Sequence, residues 1–206
     1  KEQIASDGKI ENLELDETQQ EPTIESLENL ALRTENSALK IKGVIKTQSA
    51  MAFYTKRELY LSATNGFSGG YSKTLNGLFC DAIVGTGAQM ERESFADTRT
   101  HRSDLFSPET VGEKAGMRAR KRKNPRKPKT GYYPVLFDKR ISGSLVSHLL
   151  TAVDGTSITQ GTSWARNLLG KPILPTNLSL IENPRKKRSF ASRPFDVEGL
   201  ESKKRK

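Results

Sequence analysis

Two histidines, one cysteine and one dense basic run are the residues of this 206-residue chain whose chemistry is most easily named. A hydrolytic zinc site needs three protein ligands and an open position. Projected down a helix, His148 falls on the stripe of Ile141, Leu145, Leu149 and Ala152. Its neighbours four residues away are Ser144 and Ala152, so no second ligand stands beside it. His148 is therefore expected to be a packed, hydrogen-bonded core or interface histidine. Ser147 beside it is no catalytic dyad, because adjacent helix residues point about 100° apart. His101 has no ligand spacing around it either. Cys80, the only cysteine, lies on the apolar face of a predicted strand. A buried structural thiol is expected, since nothing nearby in sequence would lower its pKa. Gly85-Thr86-Gly87-Ala88 lacks the third glycine and the following helix of a dinucleotide site, and reads as a strand-end turn. No catalytic, metal or cofactor residue is assigned to this chain.

The basic run is the strongest remaining signal. Arg118, Arg120, Lys121, Arg122, Lys123, Arg126, Lys127 and Lys129 crowd into one short stretch. Such a run can grip phosphates, with binding that falls steeply with salt. It contains no stacking aromatic and no recognition motif. Three readings stay open: a solvated helix end and linker, a nucleic-acid contact, or an electrostatic contact with a partner subunit or acidic peptide.

The elements that must carry these residues follow from periodicity. Residues 1–21 are acidic and Gln-rich, and are expected to be a linker or mobile arm that could fold back on the basic surface. Pro22-Thr23 opens a helix with Ile24, Leu27, Leu30, Ala31 and Ala38 at helical spacing, ended by Gly43. Leu59, Leu61 and Ala63 then alternate with polar residues, Asn65-Gly66 gives a hairpin turn with both residues at positive φ, and Leu78, Cys80, Ala82 and Val84 return at period two. About four antiparallel strands are expected. Ser107-Pro108-Glu109 starts a helix whose Val111, Ala115 and Ala119, with Gly112 and Gly116, form a small-residue face for the sheet. A Pro- and Lys-rich linker covers residues 125–131. Beyond it come a short strand at Tyr133–Phe137, a helix from Asp138 to about Val153, a polar second helix, and a short strand at Leu178–Ile181. The fold class is α+β: an antiparallel sheet with flanking helices, then the start of a second, β-rich domain with helices.

Composition bounds the rest. The net charge of +10 hides a split: Lys1–Asn36 holds 10 acidic and 3 basic residues, net −7, so the remainder carries +17. One cysteine excludes an intramolecular disulfide and points to a reducing compartment. No apolar run approaches the ~18 residues of a membrane span. The chain starts Lys1-Glu2-Gln3, without Met or an apolar leader core, so it is expected to be a piece of something longer rather than a secreted precursor.

Several phrases of the second half resemble one known family. Gly131-Tyr132-Tyr133-Pro134-Val135-Leu136-Phe137-Asp138 is similar to its "TG-x-YPVVFDP", and Gly143-Ser144-Leu145-Val146-Ser147-His148-Leu149 to its "GSLLGHL" helix. Gly161-Thr162-Ser163-Trp164, Leu169-Gly170-Lys171 and Ser192-Arg193-Pro194-Phe195-Asp196-Val197-Glu198-Gly199 are similar to "GTSF", "LGK" and "SRPFDGEG". Thr64-Asn65-Gly66-Phe67-Ser68-Gly69 and Met90-Glu91-Arg92 add to the match. The chain departs at Ile181-Glu182-Asn183-Pro184, where the family has "I-x-D-D-P", and at Ser189-Phe190-Ala191, which replaces a glycine-containing turn. The family is that of the TldD/PmbA metallopeptidases, also labelled modulators of DNA gyrase.

The resemblance covers about residues 22–201. It implies part of an N-terminal α+β domain over 22–124 and an incomplete C-terminal domain over 132–206. TldD-type members carry H-E-x-x-x-H in the helix after "YPVVFDP", which holds zinc. Here the corresponding stretch is Ser147-His148-Leu149-Leu150-Thr151-Ala152. That resembles the PmbA/TldE type, which implies a non-metal-binding cytoplasmic subunit working with a zinc-binding TldD-type partner on unfolded proteins or peptides. A basic nucleic-acid-associated module using residues 118–129 is the alternative.

Overall fold

The computed structural model describes residues 12–206. Two compact units divide them: one holds the residues up to Arg126 together with Glu182–Arg205, the other Lys127–Ile181 with Lys206.

The first unit opens with helix α1, Ile24–Leu39, whose Thr23 side chain accepts a hydrogen bond from the Ser26 N–H. Gly43 ends the connection at φ +98°, a conformation that favours a residue without Cβ. Three strands follow: β1 Val44–Ser62, β2 Ser68–Val84 and β3 Glu91–Arg99, antiparallel in the order β1-β2-β3. Three strands stand where about four were expected, because residues 44–62 run as one 19-residue strand. Helix α2, Pro108–Lys121, starts on a Ser107 cap with proline in its first turn.

The period-two residues of β2 carry the core. Cys80, Ala82 and Val84 pack with Ala38 of α1 and Ala115 and Ala119 of α2. The glycines of α2 do something other than expected: they face α1 rather than the sheet. A Cβ on Gly112 would lie 2.0 Å from the Thr34 carbonyl oxygen, and one on Gly116 2.8 Å from Ile41. The alanines meet the sheet while the glycines let the two helices close on one another. At the far side of α2, Lys114 Nζ sits 3.8 Å from the Phe106 ring centroid and Arg118 4.5 Å from that of Phe95, so two cations of this face are spent on β3 and the loop after it.

The hairpin tip differs from a turn with two positive φ angles. Only Gly66 is positive, at +92°. Gly66 N–H donates to the Ala63 carbonyl at 3.1 Å and Ala63 N–H to the Phe67 carbonyl at 2.9 Å, a type I turn closed by a glycine bulge. Asn65 contributes its side chain instead, accepting from Phe67 N–H at 3.0 Å.

The described part of the acidic arm, residues 12–21, is docked on the first unit rather than free. Leu13 and Leu15 are buried, and Thr74 N–H donates to the Leu15 carbonyl at 2.9 Å. Glu17 is buried with its carboxylate receiving Arg102 Nε and Arg102 N–H, each at 2.9 Å, and Asn76 Nδ2 at 3.3 Å. Glu14 meets Lys187 and Arg188, which reaches on to Asp104. These two guanidinium and ammonium partners hold the Glu14 carboxyl below its usual range, Arg188 contributing most. The apolar alternation of Leu13 and Leu15 and the waiting cations explain the docking. Residues 1–11 of the arm lie outside the described residues.

In the second unit, helix α3, Lys139–Ala152, begins on Asp138, which accepts from Arg140 N–H. Helix α4, Gly155–Thr159, begins on Asp154 in the same way. The short strands expected at Tyr133–Phe137 and Leu178–Ile181 are not formed. A strand needs a partner for its N–H and C=O groups, and neither segment pairs with another here. Where Leu178–Ile181 was expected to pair, the following residue, Glu182, makes an isolated bridge to Arg205 in the first unit.

The docking of the arm is open to measurement. Glu17→Ala strips the buried partner from a guanidinium that keeps about a quarter of its exposure, so a loss of about 3 kcal/mol is expected. Denaturant unfolding of the two proteins checks it; an unchanged midpoint would mean that the arm contributes nothing to the fold.

Candidate functional site

Two motif phrases of the first unit meet at one place, while the third, Met90-Glu91-Arg92, pairs at the other end of β2. Asn65 and Gly66 at the hairpin tip meet the Ser192–Gly199 turn, far away in sequence. Asn65 Nδ2 donates to the Glu198 carbonyl at 2.9 Å. Phe195 inserts beneath the tip, its ring centroid 4.7 Å from Phe67 and 5.3 Å from Tyr71, edge-on to the latter. Gly199 at φ +78° lies against Phe67, where a Cβ would come within 2.3 Å of the ring. Asp196 shapes the turn: its Oδ1 accepts from Glu198 N–H and Leu200 N–H, both at 2.9 Å. Ser192 Oγ donates to the Lys186 carbonyl at 2.7 Å, and the Pro194 carbonyl accepts from Ser202 N–H at 3.1 Å.

This closure leaves a cleft of about 370 Å³ beside the tip, walled by Leu59, Leu61, Tyr71, Phe195 and Val197, with Arg193 and Asp196 on it. Leu59, Leu61 and Tyr71 share a face of the hairpin, Leu59 standing opposite Tyr71. The sequence signals for this wall were the alternation of Leu59, Leu61 and Ala63 and the Ser192–Gly199 phrase. Burial raises the Tyr71 phenol above its ordinary pKa, while the Arg193 charge pulls the other way. Glu198 and Arg193 are exposed.

The remaining motif positions lie in the second unit, where they support local structure. Tyr133 OH donates to the Lys129 carbonyl at 2.9 Å, and Pro134 and Gly143 are exposed. Gly161 turns at φ +71°. Ser163 is buried, its hydroxyl donating to the Ala152 carbonyl at the end of α3 and accepting from Ala165 N–H.

His148 is exposed on α3, not packed among apolar neighbours as expected. Of that helix only Ala152 is buried; Ile141 and Leu145 stay about half exposed, so the predicted stripe is covered only at its C-terminal end among the described residues. Those residues contain no cluster of three His, Cys, Asp or Glu side chains suited to a metal. The residues four positions to either side of His148 are Ser144 and Ala152. His101 is taken up structurally, its Nε2 2.9 Å from the Glu14 carbonyl. Cys80 is fully buried, and burial, reinforced by the Glu35 and Asp81 charges, pushes its thiol up to about 12.

The basic run splits in two. Arg118 donates to the Ser94 carbonyl and the exposed Arg122 to Glu93, which ties both to β3. Arg120, Lys121, Lys123, Arg126, Lys127 and Lys129 are exposed.

Against known proteins, residues 17–123 match the model of the PmbA/TldA metallopeptidase central domain, and residues 130–206 that of its C-terminal domain. The chain belongs to the PmbA/TldD metallopeptidase family. It is 32% identical over 177 residues to the metalloprotease PmbA of Escherichia coli O157:H7, covering 85% of this chain and 39% of the relative. The PmbA homologue of Haemophilus influenzae is 29% identical over 184 residues, 88% of this chain and 41% of that one. The chain thus spans about two fifths of these relatives. Among solved structures, a Bacteroides thetaiotaomicron protein described as a candidate modulator of DNA gyrase superposes with a TM-score of 0.85 at 22% identity, over 98% of this chain and 48% of that one. TldE of Thermococcus kodakarensis superposes at 0.71 and 16%, over 89% and 42%. Both show a shared PmbA-like fold. No helix among the described residues is long and apolar enough to cross a membrane.

Two outcomes test this geometry. Gly199→Ala forces a Cβ into the Phe67 ring at a positive φ, and a loss of about 1–3 kcal/mol is expected in denaturant unfolding; a wild-type midpoint would show that the turn does not clamp the tip. The Cys80 thiol favours its protonated form when folded. Its contribution is therefore complete below pH 9, the ordinary thiol value, and is lost as pH rises towards about 12. Relative to Cys80→Ala, the wild type should lose stability over that window; parallel curves would mean that the thiol is not buried in solution.

Proposed function

We propose that this chain is part of a PmbA/TldE-type, non-metal-binding subunit of a cytoplasmic metallopeptidase assembly. A TldD-type subunit would supply the zinc, and unfolded proteins or peptides would be the substrate. The observation that carries this reading is the α3 helix: the segment that resembles the family's metal-binding helix holds one histidine, exposed, with serine and alanine where further ligands would stand. Membership of the family supports the peptidase context. The uncovered apolar side chains of α3 and of Tyr132–Phe137 suit a surface that is completed by other protein rather than one that works alone. The chain's own role in such an assembly is to shape and extend the peptide-handling chamber, not to activate water.

A second reading rests on the exposed cations of the basic run, Arg120, Lys121, Arg122, Lys123, Arg126, Lys127 and Lys129. As a nucleic-acid contact they would act through phosphates alone, with no base readout, and binding would weaken with each neutralised side chain and with added salt.

Co-purification with a TldD-type subunit from the same source separates the two. The expected result is a stable complex that contains zinc bound only by the partner and cleaves peptides only when both chains are present. Stoichiometric zinc on this chain by itself would overturn the non-metal-binding assignment. No complex, together with salt-dependent DNA binding lost on neutralising Arg120, Lys121, Lys123, Arg126 and Lys127, would favour the second reading.

A further inference from the structure

The turn that closes the hairpin tip employs several of its own residues. Ser192 and Asp196 hold backbone groups, Phe195 fills the space under the tip, and Gly199 admits Phe67. Arg193 stands apart. Its backbone N–H donates to the Pro184 carbonyl, but its guanidinium makes no ion pair and no hydrogen bond among the described residues. Asp196, the one acid lining the same cleft, accepts the N–H groups of its own turn through Oδ1. A fork of five donors, exposed and unpaired, therefore borders a cleft of about 370 Å³ whose walls are Leu59, Tyr71, Phe195 and Val197. That volume is at the small end of ligand-sized pockets, ~300–1,000 Å³. Leu59 is 42% and Val197 84% exposed, so apolar area remains to be covered.

A planar guanidinium prefers a carboxylate, which it can hold through two parallel hydrogen bonds. The ligand must carry that carboxylate next to an apolar group, because the cation and the apolar wall lie on one small cleft. The last residue of a peptide has this arrangement: carboxylate and side chain hang from a single Cα. An internal Asp or Glu does not, since its carboxylate ends the side chain and no apolar branch accompanies it.

We propose that this cleft binds the free C-terminus of a peptide ending in a large apolar residue, with Arg193 holding the carboxylate and the Leu59–Tyr71–Phe195–Val197 wall taking the side chain. This deepens the peptide-handling reading above by giving the chain a place to anchor one end of the substrate. It needs neither the zinc subunit nor cleavage, so it can fail while the assembly stands, and the assembly can fail while it stands.

Isothermal titration of the whole chain with acetyl-Ala-Ala-Phe as the free acid, as its C-terminal amide, and with 3-phenylpropionate tests it. The expected result is binding of the free-acid peptide, at least tenfold weaker binding of the amide, and weaker binding of 3-phenylpropionate. Arg193→Gln should remove the acid-over-amide preference, and Arg193→Lys should restore part of it. Circular dichroism should match wild type in both variants, since the guanidinium makes no ion pair or hydrogen bond among the described residues; if either misfolds, the acid-to-amide ratio on the unaltered chain decides. Equal binding of acid and amide, binding of neither peptide, a preference that survives Arg193→Gln, or 3-phenylpropionate binding as tightly as the peptide overturns the proposal.

Discussion

The long hairpin outruns its own sheet, and the first unit is organised around that fact. β3 pairs with β2 only from Asn76 to Val84. Beyond that point β1 and β2 continue as a two-stranded ribbon to the Asn65-Gly66 tip, and a lone two-stranded ribbon is marginal in water. The chain covers it with segments from its two ends. Leu13, Leu15 and Glu17 dock beside Thr74 and Asn76, and the Ser192–Gly199 turn drives Phe195 under the tip. The ribbon, the arm and the returning segment are one packing problem with one solution. The cleft bearing Arg193 is a by-product of how the last of these pieces fits.

Charge follows the same logic. The arm is acidic where the surfaces that receive it are basic, and its carboxylates meet Arg102, Lys187 and Arg188. Glu14 and Arg188 both sit at positive φ, 52° and 53°. Such backbone is costly unless several contacts fix it; here an ion pair and the Arg188 N–H to Leu13 carbonyl bond, at 2.9 Å, do so. The cations that end α2 are divided between rings, a carbonyl and Glu93 on one side and solvent on the other. A sum over the sequence cannot make that division, because it depends on which turn of the helix faces β3.

In the second unit the order is reversed: local chemistry is complete and packing is not. Asp138 and Asp154 cap their helices, and Ser163 ties the Gly161–Trp164 loop to the end of α3. Yet Tyr132, Leu136 and Leu169 are almost fully exposed. A segment with sound caps and an uncovered apolar face has its secondary structure fixed by neighbours in sequence, while its burial awaits neighbours in space.

What the sequence determined by itself was whatever depends on the nearest few residues. Thr23, Ser107 and Asp138 marked helix starts because a side-chain oxygen reaches an N–H two or three positions on. Leu78 to Val84 marked a buried strand face by period two, and the family phrases, each local, were legible in order. Tertiary structure alone decided the rest. It turned Gly112 and Gly116 towards α1, docked an arm that reads as a linker, left His148 exposed, and joined Asn65 to Glu198. Each of those outcomes depends on a surface contributed from elsewhere in the chain, and the apolar period of one segment says only that it must be covered, not by what.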